Sequence, residues 1–233
     1  MAESFEEKVK QLLDDKVFDV FAVSGLEDFK GVYPCIPPDL LDPYTKAISI
    51  GIHLDDAILD EIKDHPTNDY EALYNAVNAR LDEATAAIVT EITTVLGYKA
   101  LAIPATREPD PERMMGSISH KAIARHAGIG FIGKSGLIVH PSFGPRLRLA
   151  TVITDLPLEE NSPAMRACGT CTACIDACPA GAIHDIEPEA GTADWEYSVD
   201  LEKCCTKLIE FRETFGIGHS ICGICVKVCP WGK

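Results

Sequence analysis

Apolar and polar residues alternate along this chain in blocks that switch period several times. Residues 5–15, "FEEKVKQLLDD", put Phe5, Val9, Leu12 and Leu13 on one helical face. "KVFDVFAV" at 16–23 and "AISIGIHL" at 47–54 read as strands, the second as a buried one. A long helix is predicted over 68–97, with Asn68 as N-cap, Glu71 three residues on, and Gly97 as the stop. "YKALAIPA" at 98–105 follows as a strand, and "SISHKAIARHAG" at 117–128 as a short helix ending in glycine. From 136 to 156 the pattern gives two strands joined by a Pro/Gly-rich turn at 141–145. Strands and helices alternate without strict βαβ regularity, so the fold class expected is α+β, a layered domain over 1–156. The polar stretch 157–167, "PLEENSPAMRA", reads as a linker into a second domain, 157–233.

The second domain differs in composition. Of the 10 cysteines, Cys35 alone precedes position 168. Cys168, Cys171, Cys174 and Cys178 follow C-x2-C-x2-C-x3-C-P, and Cys222, Cys225 and Cys229 follow C-x2-C-x3-C-P. The first run is the bacterial ferredoxin signature, in which the fourth cysteine ligates the other [4Fe–4S] cluster of a pair. Two-residue gaps let three thiolates of one loop converge on one cubane, and the three-residue gap carries the fourth away to its neighbour. One cluster is therefore assigned Cys168, Cys171, Cys174 and Cys229. The other takes Cys178, Cys222, Cys225 and one further ligand, for which Cys204, Cys205 and His219 are the candidates. A regular repeat would place a cysteine at 219, where this chain has histidine. Zinc ribbons use cysteines in two pairs and would leave a third cysteine at +6 and the doubled Cys-Pro unexplained.

Composition narrows the setting. The chain has 233 residues, with 36 acids against 21 bases and a formal net charge of −15. Nucleic-acid binding draws most of its affinity from Lys and Arg on phosphates, so a nucleic-acid partner is not expected. No apolar run is long enough to span a membrane. The acidic start "MAESFEEKVKQLL" has no basic n-region, so no signal peptide is read. A cytoplasmic location is expected, where thiols stay reduced and clustered cysteines serve metals rather than disulfides.

"GIGFIGKSG", 128–136, matches both G-x-G-x-x-G and the P-loop expression. A P-loop sits between a strand and a following helix. Here a helical pattern precedes and a strand-like one follows, so nucleotide binding is not expected. The glycines serve either a helix-to-strand junction or a backbone lying close to some other cofactor.

The segment 119–158, with the two cysteine runs and the closing "CPW", resembles the superfamily of epoxyqueuosine reductases and reductive dehalogenases. The likeness is looser over "AISIGI" and the long helix. It implies a nitroreductase-like cobalamin-binding domain followed by a two-cluster ferredoxin-like domain. The clusters would relay electrons to the cobalt of a cobalamin that reduces a small molecule. A redox partner protein would be the donor. Gly128, Gly130, Gly133 and Lys134 occupy the positions that line the cofactor in the family. The family also has an Asp four residues before the extra cysteine ligand; Asp200 stands in that relation to Cys204, which the resemblance therefore prefers. The epoxyqueuosine reductases carry Asp-x-x-Pro-x-x-Glu before the glycine loop, and in register this chain has Met114, Ser117 and His120. The proton-donating acid is thus replaced, leaving His120 as the candidate donor. The tRNA-acting members continue into a helical-repeat extension beyond the point matching "CPWGK". Together with the acidic charge, these departures point away from queuosine chemistry. The alternative is a ferredoxin-like electron-transfer protein serving a corrinoid protein or another redox partner.

Overall fold

The computed structural model describes Phe5, Glu7 and residues 18–105, 116–163, 166–188 and 198–232. The helical face expected at 5–15 and the position Met114 lie largely or wholly outside that set. The chain forms two compact units, each assembled from three stretches: 1–53, 77–129 and 148–164, and 54–76, 130–147 and 165–233. The division at 156/157 is a boundary of another kind. It separates cysteine-poor from cysteine-rich sequence, whereas compactness gathers 54–76 and 130–147 with the cysteine segment.

The first unit is built on a four-stranded sheet in the order β1 (Val20–Gly25), β2 (Lys46–His53), β6 (Leu147–Thr154), β3 (Ala100–Ile103). β1 pairs antiparallel with β2, Val20 opposite Gly51, and β3 pairs antiparallel with β6, Ala100 opposite Thr154. β2 and β6 are the inner strands, and both are near-continuously buried. That explains why β2 reads as an apolar run rather than an alternation. The long helix α2 (Asn68–Thr90) continues as a π turn, Glu91–Val95. Its buried positions Tyr70, Tyr74, Val77, Leu81, Ala84 and Ile88 recur every three or four residues, one stripe of an amphipathic helix. The cap differs from expectation by one residue. Thr67 Oγ1 accepts from the Tyr70 N–H at 3.1 Å, so Asn68 is already inside the helix.

α3 (His120–His126) packs on β1 and β2. Ser119 caps it, its Oγ accepting from the Ala122 N–H at 3.3 Å. Nearby, Tyr33 stacks on Phe29 with ring centroids 4.3 Å apart and hydrogen-bonds His126 Nε2 at 3.1 Å.

The second unit contains α1 (Asp56–Asp60), the hairpin of β4 (Phe131–Ile132) and β5 (Ile138–Val139), and three helices of the cysteine segment: α4 (Ala173–Asp176), α5 (Leu201–Phe215) and α6 (Ile224–Val228). The two strands read between 136 and 156 do not pair with each other. β5 turns back on β4, while β6 joins the large sheet. Arg146, 1% exposed, ties this unit together: it pairs with Asp56 at 2.6 Å and Asp60 at 3.3 Å on α1, and donates to the Lys227 carbonyl at 3.1 Å on α6.

Candidate iron–sulfur site

The cysteine segment folds as two short loops, each opening a helix. Thr172 starts α4 and Gly223, at φ +80°, starts α6, so Cys174 and Cys225 sit in first turns. α4 and α6 pack on each other. This brings the two runs, far apart in sequence, to one place.

Cys168, Cys171, Cys174 and Cys229 line a single apolar-walled pocket, closed by Val139, Ser135 and Trp231. Burial pushes the Cys174 thiol up to about 11, and the neighbouring Cys168 and Cys229 push it the same way. Further thiols influence one another beyond that pocket. Burial drives Cys204 up to about 11, with Cys205, Cys178 and Cys222 adding to the rise. Cys225 is raised by burial and then by Cys222, Cys204, Cys174 and Cys178. A metal that binds at Cys174, Cys204 and Cys225 must displace protons that burial holds on these raised thiols. Backbone N–H groups already face some of the sulfurs. Ala182 donates to Cys178 Sγ at 3.3 Å, and Ile224 N–H is directed at Cys222. Such bonds stabilise charge on sulfur and tune a cluster.

Of the three candidates for the eighth ligand, Cys204 has Cys178 and Cys222, after Cys205, among the neighbours that raise it. Cys205, next to it on α5, is raised by burial. The His219 ring lies 5.3 Å from that of Tyr74. Among the described residues, no group of three or more His, Cys, Asp or Glu side chains could hold a single metal ion. A cubane takes one thiolate per iron, so its ligands stand around a box rather than a point.

The glycine loop joins α3 to the β4–β5 hairpin, the helix-then-strand order that argues against a P-loop. A Cβ on Gly128, whose φ is +78°, would lie 2.2 Å from Ser162 O. One on Gly130 would lie 2.3 Å from Val139 O, and one on Gly133 would meet Val139 Cγ2 at 3.0 Å and Cys168 Sγ at 3.1 Å. Backbone therefore leaves no room for a side chain at Gly128 and Gly130, side chains crowd Gly133, and these faces are closed by protein. Lys134, 3% exposed, donates its ammonium to Gly169 O at 2.6 Å and Cys171 O at 3.2 Å, and pairs with Asp185 at 2.6 Å. These partners all lie on the cysteine segment. Glu187 receives the N–H groups of Cys168 and Gly169 at 2.6 and 3.1 Å. Asp185 and Glu187 carry no spacing signal in a single sequence, and only the fold reveals them.

His120 is partly buried. Its Nδ1 lies 2.8 Å from Thr151 Oγ1 and its Nε2 3.0 Å from Pro104 O. A carbonyl can only accept, so Nε2 carries the proton and Nδ1 accepts from the hydroxyl. Burial lowers its pKa from 6.5 to about 4, so the ring is neutral at pH 7 with both nitrogens engaged.

Residues 167–232 match the family model described as a 4Fe-4S double cluster binding domain. An epoxyqueuosine reductase of Bacillus subtilis (strain 168) is 35% identical over 126 residues, covering 51% of this chain and 30% of that protein. The chain thus matches less than half the length of such relatives. A reductive dehalogenase whose structure suggests a mechanism for B12-dependent dehalogenation superposes with a TM-score of 0.73 at 18% identity, over 97% of this chain and 31% of the other. An epoxyqueuosine reductase solved with an epoxyqueuosine-modified tRNA-Tyr stem loop superposes with a TM-score of 0.63 at 22% identity, over 97% and 65%. The resemblance to that superfamily, read from the motifs, is borne out in sequence and in a mixed α and β fold.

Proposed function

We propose that this chain is an iron–sulfur oxidoreductase of the superfamily it resembles, holding two [4Fe–4S] clusters and using a cobalamin to reduce a small molecule. The reading is supported by how eight cysteines are grouped. Cys168, Cys171, Cys174 and Cys229 line one pocket, while Cys204 and Cys225 each feel the charge of Cys178 and Cys222, with Cys205 also acting on Cys204 and Cys174 on Cys225. Under this assignment the first set takes three ligands from the first run and one from the second, and the other set takes one from the first run, two from the second and Cys204, which is the interlock that the spacing predicts.

When bound, the clusters supply one-electron carriers and a cobalamin supplies the reducible centre for the substrate. This chain's residues do the holding. The two loops present the thiolates, the backbone N–H groups directed at Cys178 and Cys222 stabilise their charge, and the lining of the first pocket sets apolar surface beside the sulfurs. The cobalamin is supported by likeness to a B12-dependent relative. Gly128, Gly130, Gly133 and Lys134 remain the residues proposed to lie near it, through backbone surfaces other than the faces closed by protein. A redox protein is the proposed donor.

A second reading, an electron-transfer protein serving a corrinoid protein, is favoured by His120. A neutral, doubly bonded imidazole is a poor proton donor at pH 7.

The test is anaerobic purification with iron and sulfide reconstitution, followed by titration with hydroxocobalamin. About eight irons per chain and co-elution of the corrinoid are expected. About four irons would break the two-set assignment. Iron without corrinoid would select the electron-transfer reading. A tRNA stem loop added in parallel tests the substrate class, and specific binding would replace the small molecule with RNA.

A further inference from the structure

Lys134 stands apart among the charged groups of the second unit because its ammonium is enclosed while most of its partners are neutral. Burying a cation is costly unless acceptors surround it. Here two of them, Gly169 O and Cys171 O, are carbonyls of the turn that carries the first two cysteines. The third is the Asp185 carboxylate, whose side chain is 67% exposed and therefore screened by water. The backbone N–H of Lys134 is itself directed at Cys168 Sγ. On the amide side of the same turn, Glu187 receives the N–H groups of Cys168 and Gly169. The turn is thus gripped through its carbonyls by a cation and through its amides by an anion.

We propose that Lys134 is a positioning residue for the first cluster: it locks the Cys168–Cys171 turn and, as a fixed positive charge, favours that cluster's reduced state. The inference rests on the two-cluster reading above. A cluster that gains one electron from a reductant such as dithionite gains one negative charge. A nearby cation in a poorly hydrated site lowers the free energy of that form, raising the reduction potential. Asp185 partly offsets the cation, so its neutralisation acts in the opposite sense.

The wild type, Lys134→Gln, Lys134→Arg and Asp185→Asn are reconstituted anaerobically, assayed for iron and sulfide, and titrated with dithionite under EPR. In Lys134→Gln the reduction equilibrium of one cluster should fall about tenfold, about 59 mV for a one-electron couple. In Asp185→Asn the same cluster should move to higher potential. Lys134→Arg should stay near the wild type, and the second cluster should stay in place throughout. Iron-loaded Lys134→Gln at the wild-type potential, or a shift of one sign in both variants, overturns the proposal. If Lys134→Gln loses iron, Asp185→Asn decides alone, and an unchanged or lowered potential there overturns it. A wild type that holds no iron removes the two-cluster reading and this inference together, whereas normal loading with unmoved potentials removes the inference only.

Discussion

At the scale of single residues, neighbours decide what a side chain does. His120 arrives in sequence as a titratable group just before the glycine loop, and burial turns it into a neutral bridge between Thr151 and Pro104. A histidine with a depressed folded pKa contributes stability that is full above about pH 6.5 and is lost as pH falls toward 4. The change amounts to up to about 3 kcal/mol. Melting temperatures across this window should therefore fall less steeply in His120→Asn than in the wild type. Equal slopes would show that the ring carries no such penalty. The eighth cluster ligand belongs to the same scale. Cys204→Ser should lower the iron content toward about four per chain, while Cys205→Ser should leave it near eight. The reverse result would move the ligand one position along α5. The sequence offered both cysteines with nothing to separate them but the spacing from Asp200. The charge influence of Cys178 and Cys222 on Cys204 supports the same choice.

Elements were legible where one pattern ran long enough to be unambiguous. The burial stripe from Tyr70 to Ile88 and the apolar run of β2 have the expected places because they are long and buried on the expected side. The 136–156 region was harder. Val139 and Leu147 look equally strand-like, but Gly136, at φ +68°, helps turn Ile138–Val139 back onto Phe131–Ile132, and no local pattern encodes which partner a two-residue strand selects. Lys134 was visible as a loop lysine, yet its acceptors, Gly169 O and Cys171 O, are backbone atoms brought to it by the fold. The Arg146 tie between α1 and α6 is equally non-local, and it makes an asymmetric prediction. Asp56 and Asp60 are about half exposed, so Arg146→Met returns them to water at moderate cost. The double change Asp56→Asn with Asp60→Asn leaves a buried guanidinium without its counter-charges, at a cost of about 3 kcal/mol. Chemical denaturation should rank the double variant as the less stable. The opposite order would mean that packing by the Arg146 stem outweighs its charge.

For the whole molecule, the two compact units have different sources of stability. The first has the four-stranded sheet and its buried aliphatic positions, whereas much of the second is loop and short helix around thiols. Metal binding energy is folding energy where a site is poor in regular structure. Removing iron with a chelator should raise amide hydrogen exchange across 166–188 and 198–232 while β2 and β6 keep their protection. Uniform loosening of both units would contradict this. The interlock between the cysteine sets also has a consequence in time. Under the proposed assignment, the first set waits for Cys229 and the second for Cys222 and Cys225, though Cys168 to Cys178 are made much earlier. A nascent chain therefore carries four thiols that cannot complete either cluster until the last run leaves the ribosome. Any product cut short before Cys225 has two incomplete sets, and so no finished cluster to disguise it as a working copy.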